Sequence, residues 1–187
     1  HIEDASDLPR TVSFLGSMGT DLGKAPNAIV ERWTANDPTL VGKEQGGSKF
    51  SLSAVVGSSA GGFFALDLRE HGPHALVGGT TGAGKSEFLQ SWVLALAATQ
   101  SPKRVTFLFV DYKGGSAFAR CTELPHCVGI VTDLNQHLVR RALTSLRAEL
   151  TYREEVLAHY GVKDIIELEK NPSAMQLPSL VIVVDEF

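Results

Sequence analysis

The clearest indication of the fold is the stretch Gly79-Thr80-Thr81-Gly82-Ala83-Gly84-Lys85-Ser86. It matches the phosphate-binding pattern G-x-x-x-x-G-K-[ST]. A loop that wraps phosphate oxygens must point successive backbone N–H groups inward, which requires glycines that can adopt positive φ. The following helix adds its unpaired N-terminal amides and the positive end of its dipole. We therefore predict a nucleotide-binding loop in which Lys85 reaches the β- and γ-phosphates and the Ser86 hydroxyl coordinates Mg²⁺.

The sequence on both sides of this loop supports the same prediction. Residues 74–78 predict a short strand before the loop, and residues 84–99 predict an amphipathic helix after it, which Ser101-Pro102 ends. The alternative is a glycine-rich turn with an incidental Lys-Ser pair. Such a turn would not require a strand before it and a helix after it, so the context favours a phosphate-binding loop.

A second apolar segment carries the acidic residues that such a site needs. Residues 180–184 read LVIVV and predict a buried strand that ends in Asp185 and Glu186. We expect Asp185 to hold Mg²⁺, mostly through water, and Glu186 to orient and polarise the water that attacks the γ-phosphate. Many strands end in acidic residues, so the pair acquires this interpretation only together with the phosphate-binding loop. A glutamate directly after the strand aspartate, and the lack of an N-K-x-D motif, favour ATP over GTP.

A third segment places polar residues at the same edge of the predicted sheet. The apolar run 105–110 predicts a buried parallel strand, followed by Asp111-Tyr112-Lys113-Gly114-Gly115. Ligands of open α/β sheets bind at the carboxyl ends of the strands. Asp111 and Lys113 could therefore sense the γ-phosphate or couple the ATP state to a neighbouring subunit. A loop held by glycines for its turn geometry alone is the equally weighted alternative.

The rest of the chain predicts a parallel α/β sheet with two additions. Alternating apolar residues on both sides of the turn signal 58–62 predict a β-hairpin with one buried face, and 128–131 predict a further strand. A long helix is expected to begin at Asp133, with Gln136 as its capping-box partner, and to end at Gly161. Its apolar stripe consists of Val139, Leu143, Leu146, Leu150 and Leu157.

We divide the chain into a lead-in segment, residues 1–45, with a short helix through Ala28, Ile29 and Trp33, and an ATPase domain, residues 46–187. Residues 42–49 are expected to form a loop. Because the sequence ends at Phe187, just after an apolar strand and its acidic residues, we also expect the domain to be truncated there.

Composition limits the possible partners. The net charge is −4 and the pI about 5.9, so no overall basic field is available for nucleic acid. No apolar run reaches the roughly 18 residues of a membrane helix, and no signal peptide is recognisable, so any membrane anchor would lie outside these residues.

Cys121 and Cys127, with His126 beside them, lack the further ligands of a zinc site, and we interpret them as ordinary thiols.

At these residues the chain resembles the FtsK/SpoIIIE family of ATPases. In the family an acidic or polar residue, here Glu87, follows the loop serine, and a strand ends in a motif similar to Asp111-Tyr112-Lys113. Other features are more similar to the EccC/EssC ATPases of type VII secretion than to DNA-pumping FtsK. These are Gly114-Gly115, Phe118, Leu124-Pro125-His126, the helix around Arg147, Glu149 and Arg153, the segment 177–180, and the segments 68–70 and 72–74 before the loop.

The resemblance implies a RecA-like P-loop core that binds ATP and Mg²⁺ and works in a ring or a stack of ATPase domains. It implies attachment to a membrane secretion complex at the cytoplasmic face of a bacterial membrane, with small helical WXG100-type proteins as substrates. In the family an arginine from a neighbouring subunit or domain completes the site. We therefore expect weak or no ATP hydrolysis by these residues alone.

Three functions remain open at this point. The first is an ATP-hydrolysing motor for secreted proteins, and the second is a double-stranded DNA translocase of the same fold. The third is a nucleotide-dependent scaffold that assembles the complex or docks substrates without turnover. Glu186 favours hydrolysis, while the acidic balance and the Tyr112-Lys113-Gly114-Gly115 variant favour protein over DNA.

Overall fold

The computed structural model describes residues 11–19, 22, 25, 27–37, 51–112, 114, 116–132 and 136–185. Five α-helices, five strands and one 3₁₀ turn lie in this part of the chain. In chain order they are α1 (Phe14–Ser17), α2 (Ala28–Ala35), β1 (Ser53–Ser59), β2 (Gly62–Asp67), α3 (Lys85–Thr99), β3 (Val105–Asp111), the 3₁₀ turn (Ala119–Glu123), β4 (Cys127–Val131), α4 (Gln136–Tyr160), α5 (Ile165–Glu169) and β5 (Ser179–Asp185).

A parallel sheet with the order β4-β3-β5 forms the centre of the fold. Alternate residues of β3, namely Val105, Phe107 and Phe109, are fully buried. They pack against the apolar side of α3, whose buried residues include Trp92 and Leu96. Burying side chains of this size contributes about 1.5–3 kcal/mol each. The mixed α/β class predicted from the sequence is confirmed, as are the strands predicted at 105–110, 128–131 and 180–184.

The β-hairpin is also confirmed, with β1 and β2 antiparallel and joined by a tight turn. It packs on α3 through Leu52 and Ala54. Asp67, the last residue of β2, has a buried side chain. Its carboxylate accepts hydrogen bonds from the Ser51 hydroxyl and from the amides of Leu52 and Arg69. Burial alone would raise the pKa of Asp67, but these hydrogen bonds outweigh it and lower the pKa.

The lead-in helix is confirmed as α2, and it packs on α3. The indole N–H of Trp33 donates to the carbonyl of Ala97 at 2.8 Å, and the Asn36 side chain donates to the carbonyl of Thr99 at 2.7 Å. The division of the chain near residue 45 stays a prediction, and the loop predicted at 42–49 lies outside the described residues.

Two predictions about local structure are wrong. Residues 74–78 form no strand, although the apolar pattern predicted one, because no described strand pairs with them. The apolar stripe of α4 is only partly covered, since Leu143 is 55% and Leu150 52% exposed. The helix itself is present over Gln136–Tyr160, and Gly161, which follows it, adopts φ 65°. Asp133, expected to cap it, lies outside the described residues.

An ion network connects the hairpin to the far end of the sheet. Arg69 donates to both carboxylate oxygens of Glu169, each at 2.7 Å, and Arg104 lies 2.9 Å from the same carboxylate. Arg69 also donates to the Ser179 hydroxyl at 2.9 Å. The side chains of these two arginines and Glu169 are at most 11% exposed. The network therefore holds the residues after β2, the start of β3, α5 and the start of β5 together.

Candidate functional site: the phosphate-binding loop and its acidic strand

The backbone of residues 79–84 has the conformation that a phosphate-binding loop requires. Gly82 and Gly84 adopt φ of 79° and 85°, in the left-handed region. Gly79 is needed for space, because a Cβ there would lie 3.2 Å from the Ala83 Cβ. The amide of Ala83 donates to the Thr80 carbonyl at 3.1 Å, which closes the turn. The turn geometry thus explains Gly82 and Gly84, and the close approach of Ala83 explains Gly79.

Helix α3 begins directly after this turn, at Lys85. Its N-cap residue, Gly84, provides no side-chain hydrogen bond to the first amides of the helix. These amides lack intrahelical partners, so they and the positive end of the helix dipole are available to an anion. Thr80 and Thr81 are exposed in the loop, and Glu87 is exposed in the first helical turn.

The Lys85 ammonium group lies over the loop. Its Nζ donates to the carbonyls of Gly79 at 2.9 Å and Thr80 at 3.0 Å. The lysine is therefore held above the loop by two neutral acceptors, and these are weaker partners for an ammonium group than a phosphate oxygen is.

The strand aspartate meets the loop serine in the structure. Ser86 Oγ donates to Asp185 Oδ2 at 2.7 Å, and Asp185 is only 8% exposed. A hydroxyl oxygen and a carboxylate oxygen are both ligands that Mg²⁺ accepts. Their placement at the start of α3, beside Lys85, fits a Mg²⁺ site next to bound phosphates. Ser86 and Asp185 would hold the ion, which would neutralise phosphate charge.

Asp111 lies beside Asp185, because the two residues are register partners at the carboxyl ends of β3 and β5. It is 1% exposed, and its Oδ2 accepts a 3.0 Å hydrogen bond from the Ala117 amide. This contact joins the end of β3 to Ala117. Lys113 and Glu186 lie outside the described residues, so their predicted roles stay predictions.

The two cysteines are free thiols. Burial raises the pKa of Cys121, and the neighbouring Cys127 adds to this effect. His126 is 1% exposed, and its Nε2 donates to the Gln100 carbonyl at 2.7 Å. Burial lowers the pKa of this histidine. Among the described residues, no group of three or more His, Cys, Asp or Glu side chains could hold a metal ion.

Sequence reasoning missed the buried network of Arg69, Arg104 and Glu169. These residues lie in three separate segments, and no local pattern links them.

No helix in the described part of the chain is long and apolar enough to cross a membrane.

Comparison with known proteins extends the description of the site. The pattern of the FtsK/SpoIIIE family matches residues 41–187. The chain is 35% identical over 98% of its length to the ESX secretion system protein EccC of Geobacillus thermodenitrificans, and covers 12% of that protein. It is 43% identical over 66% of its length to the type VII secretion system protein EssC of Staphylococcus aureus, and covers 9% of it.

A solved structure agrees with these relatives. The cytoplasmic domain of the type VII secretion ATPase EccC of Thermomonospora curvata matches 95% of this chain, with a TM-score of 0.76 and 32% identity. The match covers 21% of that chain. The chain thus spans only a small part of the length of the relatives that it matches, and the resemblance stated from the sequence is confirmed.

Proposed function

Because the chain belongs to the FtsK/SpoIIIE family of P-loop ATPases, we propose that it binds ATP with Mg²⁺ at residues 79–87. The observation that carries this proposal is the 2.7 Å contact between Ser86 and Asp185 at the start of α3. The contact brings two oxygen ligands together beside an uncapped helix N-terminus and the Lys85 ammonium group. The helix N-terminus and the ammonium group are complementary to a polyphosphate, and the two oxygen ligands are complementary to its cation.

Phosphate binding would change the partners of Lys85. Its ammonium group now donates to two loop carbonyls, and it would turn to the β- and γ-phosphate oxygens, which carry negative charge. The amides of the loop and of the first helical turn would donate to the remaining oxygens. Glu87, at the outer side of this turn, would border the nucleotide.

We further propose that the site hydrolyses ATP. Glu186 directly follows Asp185 in the sequence and would orient the attacking water. Asp111, at the end of the neighbouring strand β3, and Lys113, two residues later in the sequence, would sense the γ-phosphate or couple the site to an adjacent ATPase domain. An arginine from such a domain would complete the charge stabilisation.

At the level of the whole protein, we propose a motor domain of a membrane-associated protein translocase. The support is the match to EccC and EssC proteins of secretion systems. Sister ATPase domains in a ring or stack, a membrane secretion complex and WXG100-type proteins would be its partners. A DNA translocase has less support, because the net charge of −4 provides no basic field for a duplex. A scaffold without turnover would not need Glu186.

The test is a pair of variants in the full-length protein, assayed for ATP binding, ATP hydrolysis and export. Glu186→Gln should keep nucleotide binding and lose hydrolysis and export, because only the water-orienting group is removed. Lys85→Ala should lose all three activities. Export that continues with Glu186→Gln would refute the motor function and leave the scaffold. Strong stimulation of wild-type hydrolysis by double-stranded DNA would favour the DNA translocase.

A further inference from the structure

Helix α4 carries an apolar seam that the described part of the chain leaves partly open. Val139, Leu143, Leu146 and Leu150 recur at alternating intervals of four and three residues, which is the spacing of a coiled-coil contact. Leu143 and Leu150 are 55% and 52% exposed, whereas Val139 and Leu146 are half-buried. One side of this seam, residues 139–150, is therefore open to another helix.

The other side of α4 is fixed to the domain. Val156 is buried in a small apolar cluster with Leu168 of α5. Arg153 donates to the Glu149 carboxylate and to the Pro178 carbonyl, each at 2.7 Å, which ties the helix to the residue before β5. The exposed leucines are therefore presented by a helix that the rest of the domain holds in place, so little ordering is needed when a partner binds.

Charged residues accompany the seam in a definite order. Arg140, Arg147 and Glu154 recur every seven residues, lie along one side of the seam and are all exposed. Within the described residues, no ion pair is found for these three side chains. Together with Arg141 and Glu155, they make the first half of the helix basic and the second half acidic. A partner helix with the same charges in reversed order would be complementary to α4.

This order of charges decides between the possible partners. A membrane surface or a nucleic acid would favour basic residues along the whole helix, and the acidic second half of α4 opposes both. A second copy of α4 that runs antiparallel has the required order, because its acidic half then lies beside the basic half of the first helix. The same arrangement places the apolar seam of one copy against the seam of the other.

We propose that two copies of this chain associate through antiparallel α4 helices, related by a two-fold axis near Arg147. Leu143 of each copy would pack against Leu150 of the other. Arg140 of each copy would form an ion pair with Glu154 of the other. At the axis Arg147 would approach its own counterpart, and its long side chain can turn the guanidinium group to solvent. A two-fold contact closes on itself, so it is additional to the head-to-tail contacts that build a ring.

The expected contact between the two helices is short. From residue 139 to residue 154 the helix rises by about 22 Å. A contact of this length suits a weak, reversible dimer better than an obligate one. Helix pairing does not require ATP, so it can be tested without nucleotide, and its failure would be distinguishable from failure of the nucleotide site. The experiment must capture a contact that dissociates readily.

The test is thiol cross-linking of the full-length protein with a short bis-maleimide. Arg147→Cys places a thiol beside the proposed axis, where the same residue of two copies can be joined. Ala148→Cys is the matched control, because Ala148 is exposed on the side of the helix away from the seam. Wild type measures the background from native thiols, including Cys121 and Cys127. We expect at least about fivefold more cross-linked dimer from Arg147→Cys than from Ala148→Cys. Equal yields would overturn the proposal.

A charge exchange tests the antiparallel orientation independently. In the Arg147→Cys protein, Arg140→Glu should reduce the dimer yield to that of Ala148→Cys, because it places like charges together at both ends of the contact. Adding Glu154→Arg to this variant should restore the yield. Both positions are exposed, so the substitutions leave the fold intact. A yield that is unchanged by Arg140→Glu, or that is not restored by the second substitution, would contradict the antiparallel pairing.

Discussion

Ser86 and Asp185 are 99 residues apart in sequence, yet the Ser86 hydroxyl donates a 2.7 Å hydrogen bond to Asp185 Oδ2. The first residue belongs to the opening turn of α3 and the second to the last position of β5. Their contact joins the phosphate-binding loop to the acidic strand, and it defines where a Mg²⁺ ion would be held between protein and phosphate.

This contact predicts a specific effect of removing the hydroxyl. Ser86→Ala should weaken the binding of Mg²⁺–ATP by about tenfold or more, because the ion loses one oxygen ligand. Binding of ATP in the presence of a chelator should change much less. Calorimetric titrations with and without Mg²⁺ measure both values. Ser86→Thr, which keeps the hydroxyl, is the control and should bind like wild type. Equal losses with and without Mg²⁺ would contradict a role for Ser86 in holding the ion.

The loop geometry predicts that the neighbouring residues Gly78 and Gly79 differ in their tolerance of substitution by alanine. A Cβ on Gly79 would lie 3.2 Å from the Ala83 Cβ and 3.4 Å from Lys85 Cγ, so Gly79→Ala should displace the loop or the lysine. Because a displacement of about 1 Å can reduce activity by about a hundredfold, we expect at least about a tenfold loss of ATP affinity. Gly78→Ala is the matched control, since its Cβ would meet nothing within 4 Å. Similar affinities for the two variants would show that the close approach is unimportant.

The buried ion network predicts a large effect on stability. Glu169→Ala leaves Arg69 and Arg104 buried without the carboxylate that both now contact. Removing one partner of a buried pair typically costs about 3–5 kcal/mol. Urea unfolding should therefore show a strongly reduced free energy of unfolding. Lys163→Ala, which removes an exposed i,i+4 pair, is the control and should change stability little. A small effect of Glu169→Ala would mean that water or other groups compensate the arginines.

His126 predicts a dependence of stability on pH. Burial lowers its pKa in the folded protein below the ordinary value of 6.5, so the unfolded chain takes up a proton first as pH falls. The contribution of the neutral histidine to stability is complete above pH 6.5, and it is lost progressively below this value, down to the folded pKa. Thermal unfolding of His126→Gln should show a smaller decrease over the same range. Parallel pH profiles of the two proteins would contradict the prediction.

The parts of the fold that the sequence predicted correctly depend on local patterns. The glycines of the loop, the helix after it and the apolar run of β3 each specify their structure within a few residues. The strand predicted at 74–78 failed for the opposite reason. Its apolar residues fit a strand, but a strand also needs a partner, and none is present among the described residues.

The candidate site shows the same distinction. The loop motif located Lys85 and Ser86, and the acidic strand end located Asp185, because both motifs are continuous in sequence. The hydrogen bond of Asp111 to the Ala117 amide, and the burial of Asp67 by three donors, depend on loop geometry. No spacing in the sequence specifies such contacts.

The most direct test of the nucleotide site is calorimetric titration of the protein with Mg²⁺–ATP, alongside Lys85→Ala. Lys103→Ala, which removes an exposed lysine before β3, serves as the charge control. We predict binding by wild type and by Lys103→Ala, and its loss in Lys85→Ala. Binding that survives Lys85→Ala, or no binding by folded full-length wild type, would contradict the assignment of residues 79–86 as the ATP site.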